Sequence, residues 1–229
     1  MENLTAYERY QYEKMSEKFP NCVISWENLR LESANFTAAQ GSIPFAVLQQ
    51  DNATIGAAPT ATEIRLNQND CFLATRMAIY IAKTDGARAT TRKRTYPNTA
   101  IYVAVNETRN QMAIYNGNTL IAVDKYKYFP AWPNYQHLQS GGGQQELQGT
   151  TGVVVAPATI SGYTVETFNG QSSGVKAMDP AVLFKGTSDI ELTIDLNGSF
   201  DLSGGVAINF AIIEFCGFQI QSGNLQEKM

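Results

Sequence analysis

The segment IELTIDL, residues 190–196, alternates with period two. Ile190, Leu192, Ile194 and Leu196 fall on one side of an extended chain, and Glu191, Thr193 and Asp195 on the other. Successive side chains of a strand point to opposite faces, so the segment predicts a strand with one face in a core and one in water. Two longer segments read differently: FLATRMAIYI at 72–81 and VAINFAIIEFCGFQI at 206–220. Strict alternation puts Leu73, Met77, Ile79 and Ile81 on one face of the first, and Phe72, Ala78 and Tyr80 on the other. Strands apolar on both faces are expected to be covered on both, by a second sheet or by another subunit. Glu214, inside the second, should mark a bulge, a paired charge or the point where the strand reaches the surface.

Outward from these segments the same grammar continues. Short apolar or alternating runs separated by Gly, Pro, Asn and Asp predict strands at 29–36, 43–48, 63–66, 101–105, 112–115, 120–123, 153–155, 163–168 and 182–184. Asn-Gly pairs accept the positive φ of tight turns, so Asn116–Gly117 and Asn197–Gly198 are expected to close hairpins; Asn169–Gly170 has poorer flanks. The exception to the β pattern is the start. Residues 3–19 place Leu4, Tyr7, Gln11, Met15 and Phe19 at helical spacing with Tyr12 beside them, and Thr5 and Glu8 have capping-box spacing. Arg9 and Glu13 form an i,i+4 pair, and Pro20 ends the helix.

Pro130, Pro133, the run Gly141–Gly142–Gly143 and the amides from Gln136 to Gln148 leave little to bury between the β-rich stretches. The chain is therefore expected to divide into a helix over 1–20, a first β unit over 21–130, a linker over 131–149 and a second β unit over 150–229.

Composition narrows the function. Of 229 residues, 17% are charged, and Asn plus Gln number 32. Amide-rich surfaces desolvate more cheaply than surfaces of Lys and Glu, which suits a protein with extensive contacts. A net charge of −4 argues against an electrostatic nucleic-acid binder, and no direct sequence-specific nucleic-acid binding is expected. Cys22, Cys71 and Cys216 are scattered without a CxxC, so neither a zinc site nor a cofactor is indicated. Residues 1–20 carry Glu2, Glu8, Glu13 and Glu17 and no apolar run, so a secretory leader is not expected; assembly in a reducing cytoplasm with free thiols is. No apolar stretch is long enough for a membrane-spanning helix.

Four features invite a chemical reading. Gly170–Gln171–Ser172–Ser173–Gly174 matches a nucleophile elbow, but the lone histidine, His137, precedes the serine and no helix follows it, so a Gly/Ser loop is expected and not a catalytic serine. His137 reads as a surface-loop residue. Asn67, Asn69 and Asp70, and likewise Asp195, Asn197 and Asp201, offer clustered oxygens but form no EF-hand loop, so turns are expected. Lys83, Arg88, Arg92, Lys93 and Arg94 gather five of the 17 cations in twelve residues after the first two-faced strand. They are the candidate contact with acidic groups of a neighbouring subunit or with phosphates. Tyr126, Tyr128, Phe129, Trp132 and Tyr135 alternate with Lys125, Lys127, Pro130 and Pro133; packing where two β units meet is the expected role, and stacking on sugars or bases the alternative. The helical face of Leu4, Tyr7, Tyr12, Met15 and Phe19 is expected to dock on an apolar surface, either a barrel or an internal membrane, although its polar face lacks the basic character of a membrane-surface helix.

The layout of helix, β unit, Pro/Gly linker, second β unit and long apolar strand resembles the double jelly-roll major capsid proteins of tailless icosahedral bacteriophages with an internal membrane. Residues 1–19, 29–48, 70–81 and 206–220 carry the resemblance, which contains no diagnostic motif. It implies an all-β fold of two jelly-roll barrels side by side with a short N-terminal helix. It further implies homotrimers of pseudo-hexagonal shape, an icosahedral virion shell, companions such as vertex proteins, an internal lipid membrane as a possible neighbour of the helix, and no enzymatic activity. The chain is short for that family and its first helix is not basic. Competing expectations are a viral decoration, fibre or tail protein, which needs only one sandwich, and a carbohydrate-binding β-sandwich module.

Overall fold

The computed structural model describes residues 4–49, 63–84, 91, 93–97, 101–104, 106–139, 174–204 and 207–223. The elements, in chain order, are α1 (Ala6–Lys18), β1 (Ile24–Glu32), β2 (Ala39–Phe45), β3 (Cys71–Thr84), α2 (Glu107–Asn116), β4 (Asn118–Val123), β5 (Tyr126–Pro133), a 3₁₀ turn (Asn134–His137), β6 (Lys176–Lys185), β7 (Ile190–Asp201) and β8 (Ile208–Ile220). The strands form two antiparallel four-stranded sheets, β1-β8-β3-β6 and β2-β7-β4-β5.

Alternation decides which residues lie between the sheets. Leu192, Ile194 and Leu196 of β7 lie beside Ile43 and Phe45 of β2 and Ile121 and Val123 of β4 on the inner face of their sheet, and share one continuous core with the inner residues of β3 and β8. The wet face of β7 is the predicted one. The two-faced strands, β3 and β8, are the central strands of the first sheet. Met77, Ile79, Ile81, Ala211, Ile213 and Phe215 fill the core, while Ala78, Tyr80, Ala82, Phe210 and Ile212 form a buried cluster on the opposite face.

The face assignment within β3 needs one correction. Pairing with β8 steps from Ala74 opposite Gly217 to Arg76 opposite Cys216, so Thr75 is an extra residue against β8; against β6 the same step runs from Val182 to Ala177, and the surplus residues lie on β6. A bulge of one residue inverts the alternation beyond it. Phe72 and Ala74 therefore share the core with Met77 and Ile79, where strict alternation had separated Phe72 from them. Gly217 lies opposite Ala74 at the bulge, and a Cβ there would stand 1.9 Å from the Leu73 carbonyl oxygen, so only glycine fits.

The expected division into two units does not describe this arrangement. β6, β7 and β8, from the stretch assigned to a second barrel over 150–229, pair with β1, β2, β3 and β4 of the stretch assigned to the first over 21–130. Among the described residues the strands make one sandwich around one core, and β5 runs into the supposed linker. Hydrophobic periodicity identifies strands but says nothing about which strand lies beside which.

Local corrections have similar causes. Residues 112–115, expected as a strand, lie in α2, where Ala113, Ile114 and Tyr115 are buried. Residues 101–104 lie outside any strand. Residues 63–66 contribute one bridge, Leu48 with Leu66. Gly117 caps α2 rather than closing a hairpin. Asn197, at φ 56°, sits inside β7 where its register with β2 shifts. The hairpin that does form, β4–β5, turns at Asp124 and Lys125, with φ of 52° and 69°. Two successive positive φ values are the mark of a type I′ turn. The Asp124 carboxylate accepts hydrogen bonds from Ser188 Oγ (2.8 Å) and the Asp189 amide (2.9 Å), which anchor the turn to the loop before β7. The expected strands 153–155 and 163–168 and the Asn169–Gly170 turn lie outside the described residues. No described helix is long and apolar enough to cross a membrane.

Candidate interaction surfaces

The N-terminal helix forms where its sequence places it. The Thr5 hydroxyl accepts from the Glu8 amide at 3.3 Å and the Glu8 carboxylate accepts from the Thr5 amide at 2.8 Å, the reciprocal capping box. Its apolar side lies on the outer face of the β1-β8-β3-β6 sheet. Tyr12 meets Phe218 at 5.6 Å between ring centroids, and buried Phe19 packs with Cys71 and Ile220, with Met15 against them. Tyr7 Oη accepts from the Ala181 amide (3.0 Å) and donates to the Met178 carbonyl (3.3 Å) on β6. Leu4 is half-buried just ahead of the cap. Of the surfaces expected to receive the helix, the chain's own sheet does so.

Charge fixes that docking. Glu8 is buried and bidentate to Arg76, at 2.5 Å and 2.8 Å. Burial works to raise the Glu8 pKa, but the hydrogen bonds from Arg76 and Thr5 outweigh it and hold the carboxyl below its ordinary value. Arg76 projects from the β3 bulge, with its guanidinium carbon 5.7 Å from the Trp26 ring centre. Between helix and sheet lies a groove of about 620 Å³, lined in part by Tyr7, Glu8, Thr75, Arg76, Met178 and Asp179. Among the described residues that line it, the one arginine is already matched by Glu8.

The candidate cations divide. Lys83 Nζ bonds both oxygens of buried Glu107, at 2.7 Å and 2.8 Å. Glu107 also accepts from Asn209 Nδ2 (2.7 Å) and the Ala104 amide (3.0 Å). Burial opposes ionisation of Glu107, yet these donors hold its pKa below the ordinary value. Lys83 is thus an internal strut between β3 and α2 and not a surface contact, which corrects the sequence reading. Lys93 bonds Glu214 Oε2 at 2.5 Å and lies 4.9 Å from the Tyr80 ring centre. Glu214, expected as a bulge, a paired charge or a surface point, is a paired charge. Arg94 contributes through its backbone, which exchanges two 2.9 Å hydrogen bonds with Ile81. Arg88 and Arg92 lie outside the described residues.

The aromatic run belongs to packing for most of its length. Phe129 and Trp132 meet edge to face at 4.9 Å. Trp132 Nε1 donates to His137 Nε2 at 2.9 Å, which leaves Nδ1 as the donor to the Gly174 carbonyl at 2.6 Å. His137 is fully buried, contrary to its reading as a surface-loop residue. Burial lowers its pKa to about 4, with Lys176 adding to that and the Gly174 carbonyl opposing it. Both ring nitrogens are engaged, so this imidazole is a neutral structural link. Gly174, the last residue of the nucleophile-elbow match, has φ +71°, and a Cβ there would stand 2.9 Å from the His137 carbonyl oxygen. Ser172 lies outside the described residues. Tyr126 and Tyr135 remain exposed, at 67% and 65%.

The acidic turns are occupied by backbone amides, local ones at Asp195 and Asp201 and one from the turn after β8 at Asp70. Asp70 accepts from the Ser222 amide (2.8 Å), Asp195 from the Asn197 amide (2.9 Å) and Asp201 from the Ser203 amide (3.0 Å). Burial, with the Glu214 carboxylate beside it, pushes the Cys216 thiol up to about 11, away from the nucleophilic range. Neither a protein-family model, nor a curated protein, nor a solved structure matches the chain.

Proposed function

We propose that this chain is a non-enzymatic coat protein of a virion, self-assembling into an icosahedral shell. The observation that carries the reading is the strand order. Sheets ordered β1-β8-β3-β6 and β2-β7-β4-β5 are joined by crossings from one sheet to the other at β1–β2, β2–β3, β3–β4, β5–β6, β6–β7 and β7–β8. In this reading the eight strands are a jelly roll, the wrapped Greek-key sandwich used by viral capsid and lectin domains. The low charge and the amide-rich composition support broad contacts with other copies, which symmetry repeats around a shell. Vertex or other virion proteins would be further partners, and the host cytoplasm the place of assembly.

The pseudo-hexagonal homotrimer rested on two barrels per chain. With one sandwich, a six-barrel capsomer would take six copies, so the trimer no longer follows from barrel count. The same observation favours a second reading, a decoration, fibre or tail protein of a virion, which needs one sandwich per chain. α1 lies against its own sheet, which makes contact with an internal membrane unnecessary to explain its apolar face.

Light scattering and electron microscopy of the purified native chain test the proposal. Closed shells or large symmetric rings support a coat protein, and small discrete oligomers that bind pre-formed particles support a decoration or fibre protein. A monomer that resists concentration removes both. Thermal stabilisation of such a monomer by a sugar panel would point instead to a lectin-like module acting through Tyr126 and Tyr135.

A further inference from the structure

Strands at the edge of a sheet expose unpaired amides and carbonyls, and proteins block these edges unless they are used. Among the described residues the two sheets have four edge strands: β1 and β6, and β2 and β5. Pro44 lies in β2, Pro130 and Pro133 in β5, and Pro180 in β6, where Tyr7 additionally binds the Ala181 amide and Met178 carbonyl. β1 has no proline.

The register shows which β1 groups face outward. Val23 and Ser33 bond residues 221 and 211 in line with β8, so odd-numbered residues of β1 direct their amides and carbonyls toward β8. Even-numbered ones direct theirs away. The far half is covered: the Arg30 carbonyl accepts from the Ile64 amide at 2.9 Å, and the Glu32 amide donates to Glu63 Oε1 at 3.4 Å. Beside Ile24, Trp26 and Asn28 no strand lies among the described residues. Trp26, the middle one, is 38% exposed on the helix side of the sheet, edge to face with Phe218 at 5.0 Å.

We infer that residues 24–28 pair antiparallel with the same residues of a second copy, about a two-fold axis at Trp26. This rests on the self-association reading for its choice of partner. Charge selects the register. Centred on Trp26, residue 24 faces 28 and Ser25 faces Glu27, and the three outward residues of each copy exchange six backbone hydrogen bonds. Centred on residue 27, two Glu27 carboxylates would oppose each other, which is unfavourable. The chosen register also stacks the two Trp26 side chains across the axis, continuing the Tyr12–Phe218–Trp26 cluster from one copy to the next, and it joins two four-stranded sheets into one of eight.

Cysteine cross-linking reads the register. In a Cys22→Ser background, Trp26→Cys places the two Cα atoms about 5.5 Å apart, within disulfide range, whereas Asn28→Cys separates them by about 14 Å along the strands. Mild oxidation should therefore cross-link Trp26→Cys and leave Asn28→Cys single. Trp26→Pro, whose lost amide faces away from β8, should keep the monomer's circular dichroism and weaken dimerisation at least 100-fold. Assembly that persists in Trp26→Pro, or that cross-links equally at both positions, overturns the β1 pairing and leaves self-association standing. A parent chain that stays monomeric at all concentrations overturns the self-association reading as well.

Discussion

Acidifying the folded protein from pH 7.5 to pH 5 should remove about 2 kcal/mol of stability through His137 alone. The group is fully buried, accepts from Trp132 and donates to Gly174, and its pKa lies at about 4 against an ordinary 6.5. Between those values the unfolded chain takes up a proton that the folded chain refuses. Stability due to this site is complete above 6.5 and declines as pH falls toward 4. The full window is worth about 3 kcal/mol at 1.36 kcal/mol per pH unit. Urea unfolding at half-unit intervals from pH 7.5 to 5 measures the slope. The window is clean, because the Glu8 and Glu107 carboxyls are held below their ordinary values and titrate further down. The chain has a single histidine, so one imidazole resonance reports the folded-state titration without assignment. A His137→Gln variant should be less stable at pH 7.5 and lack the slope. An imidazole titrating near 6.5 in the folded protein, or a slope that survives His137→Gln, would refute the reasoning.

Further expectations follow from the packing. Gly217→Ala puts a methyl 1.9 Å from the Leu73 carbonyl oxygen at the β3 bulge, and should cost about 3 kcal/mol or more in chemical denaturation. Lys83→Ala strands the buried Glu107 carboxylate without its cation, and a loss of about 3–5 kcal/mol is expected, largely recovered by adding Glu107→Gln. Below pH 4.5 the depressed Glu8 and Glu107 carboxyls bind protons more readily when unfolded. Their stabilisation is present above that pH and lost as acid takes them through their folded values; Glu107→Gln should flatten this acid limb in thermal unfolding. Reversing Lys93 faces a glutamate toward Glu214, so Lys93→Glu should lower stability by about 1–2 kcal/mol even where no other copy is present, measured on dilute protein.

Some of this was written locally. Thr5 and Glu8 specify a helix start by their own hydrogen bonds, and a seven-residue alternation such as Ile190–Leu196 leaves one choice of buried face, so α1 and β7 are legible from neighbours in sequence. The double burial of β3 and β8 was legible for the same reason: polar residues are scarce on either face of residues 72–81 and 206–220. The docking residues Tyr7, Tyr12, Met15 and Phe19 emerged from helical spacing, though which surface they met did not.

The rest depended on partners far away in the chain. Whether β8 joins β1 and β3 in one sandwich, or stays within a second barrel, is decided by pairings such as Cys71 with Ile220 and Ile24 with Ile220, far apart in the chain, which periodicity does not encode. The bulge at Thr75 is one extra residue against β8, invisible until that register is known. Lys83 and His137 carry the same lesson for sites. A lysine in a basic run and a histidine before a glycine run look solvated, because solvation is the default for polar side chains. Only the fold brings Glu107 to one and the Gly174 carbonyl to the other, and in a buried setting those partners convert presumed surface groups into internal struts.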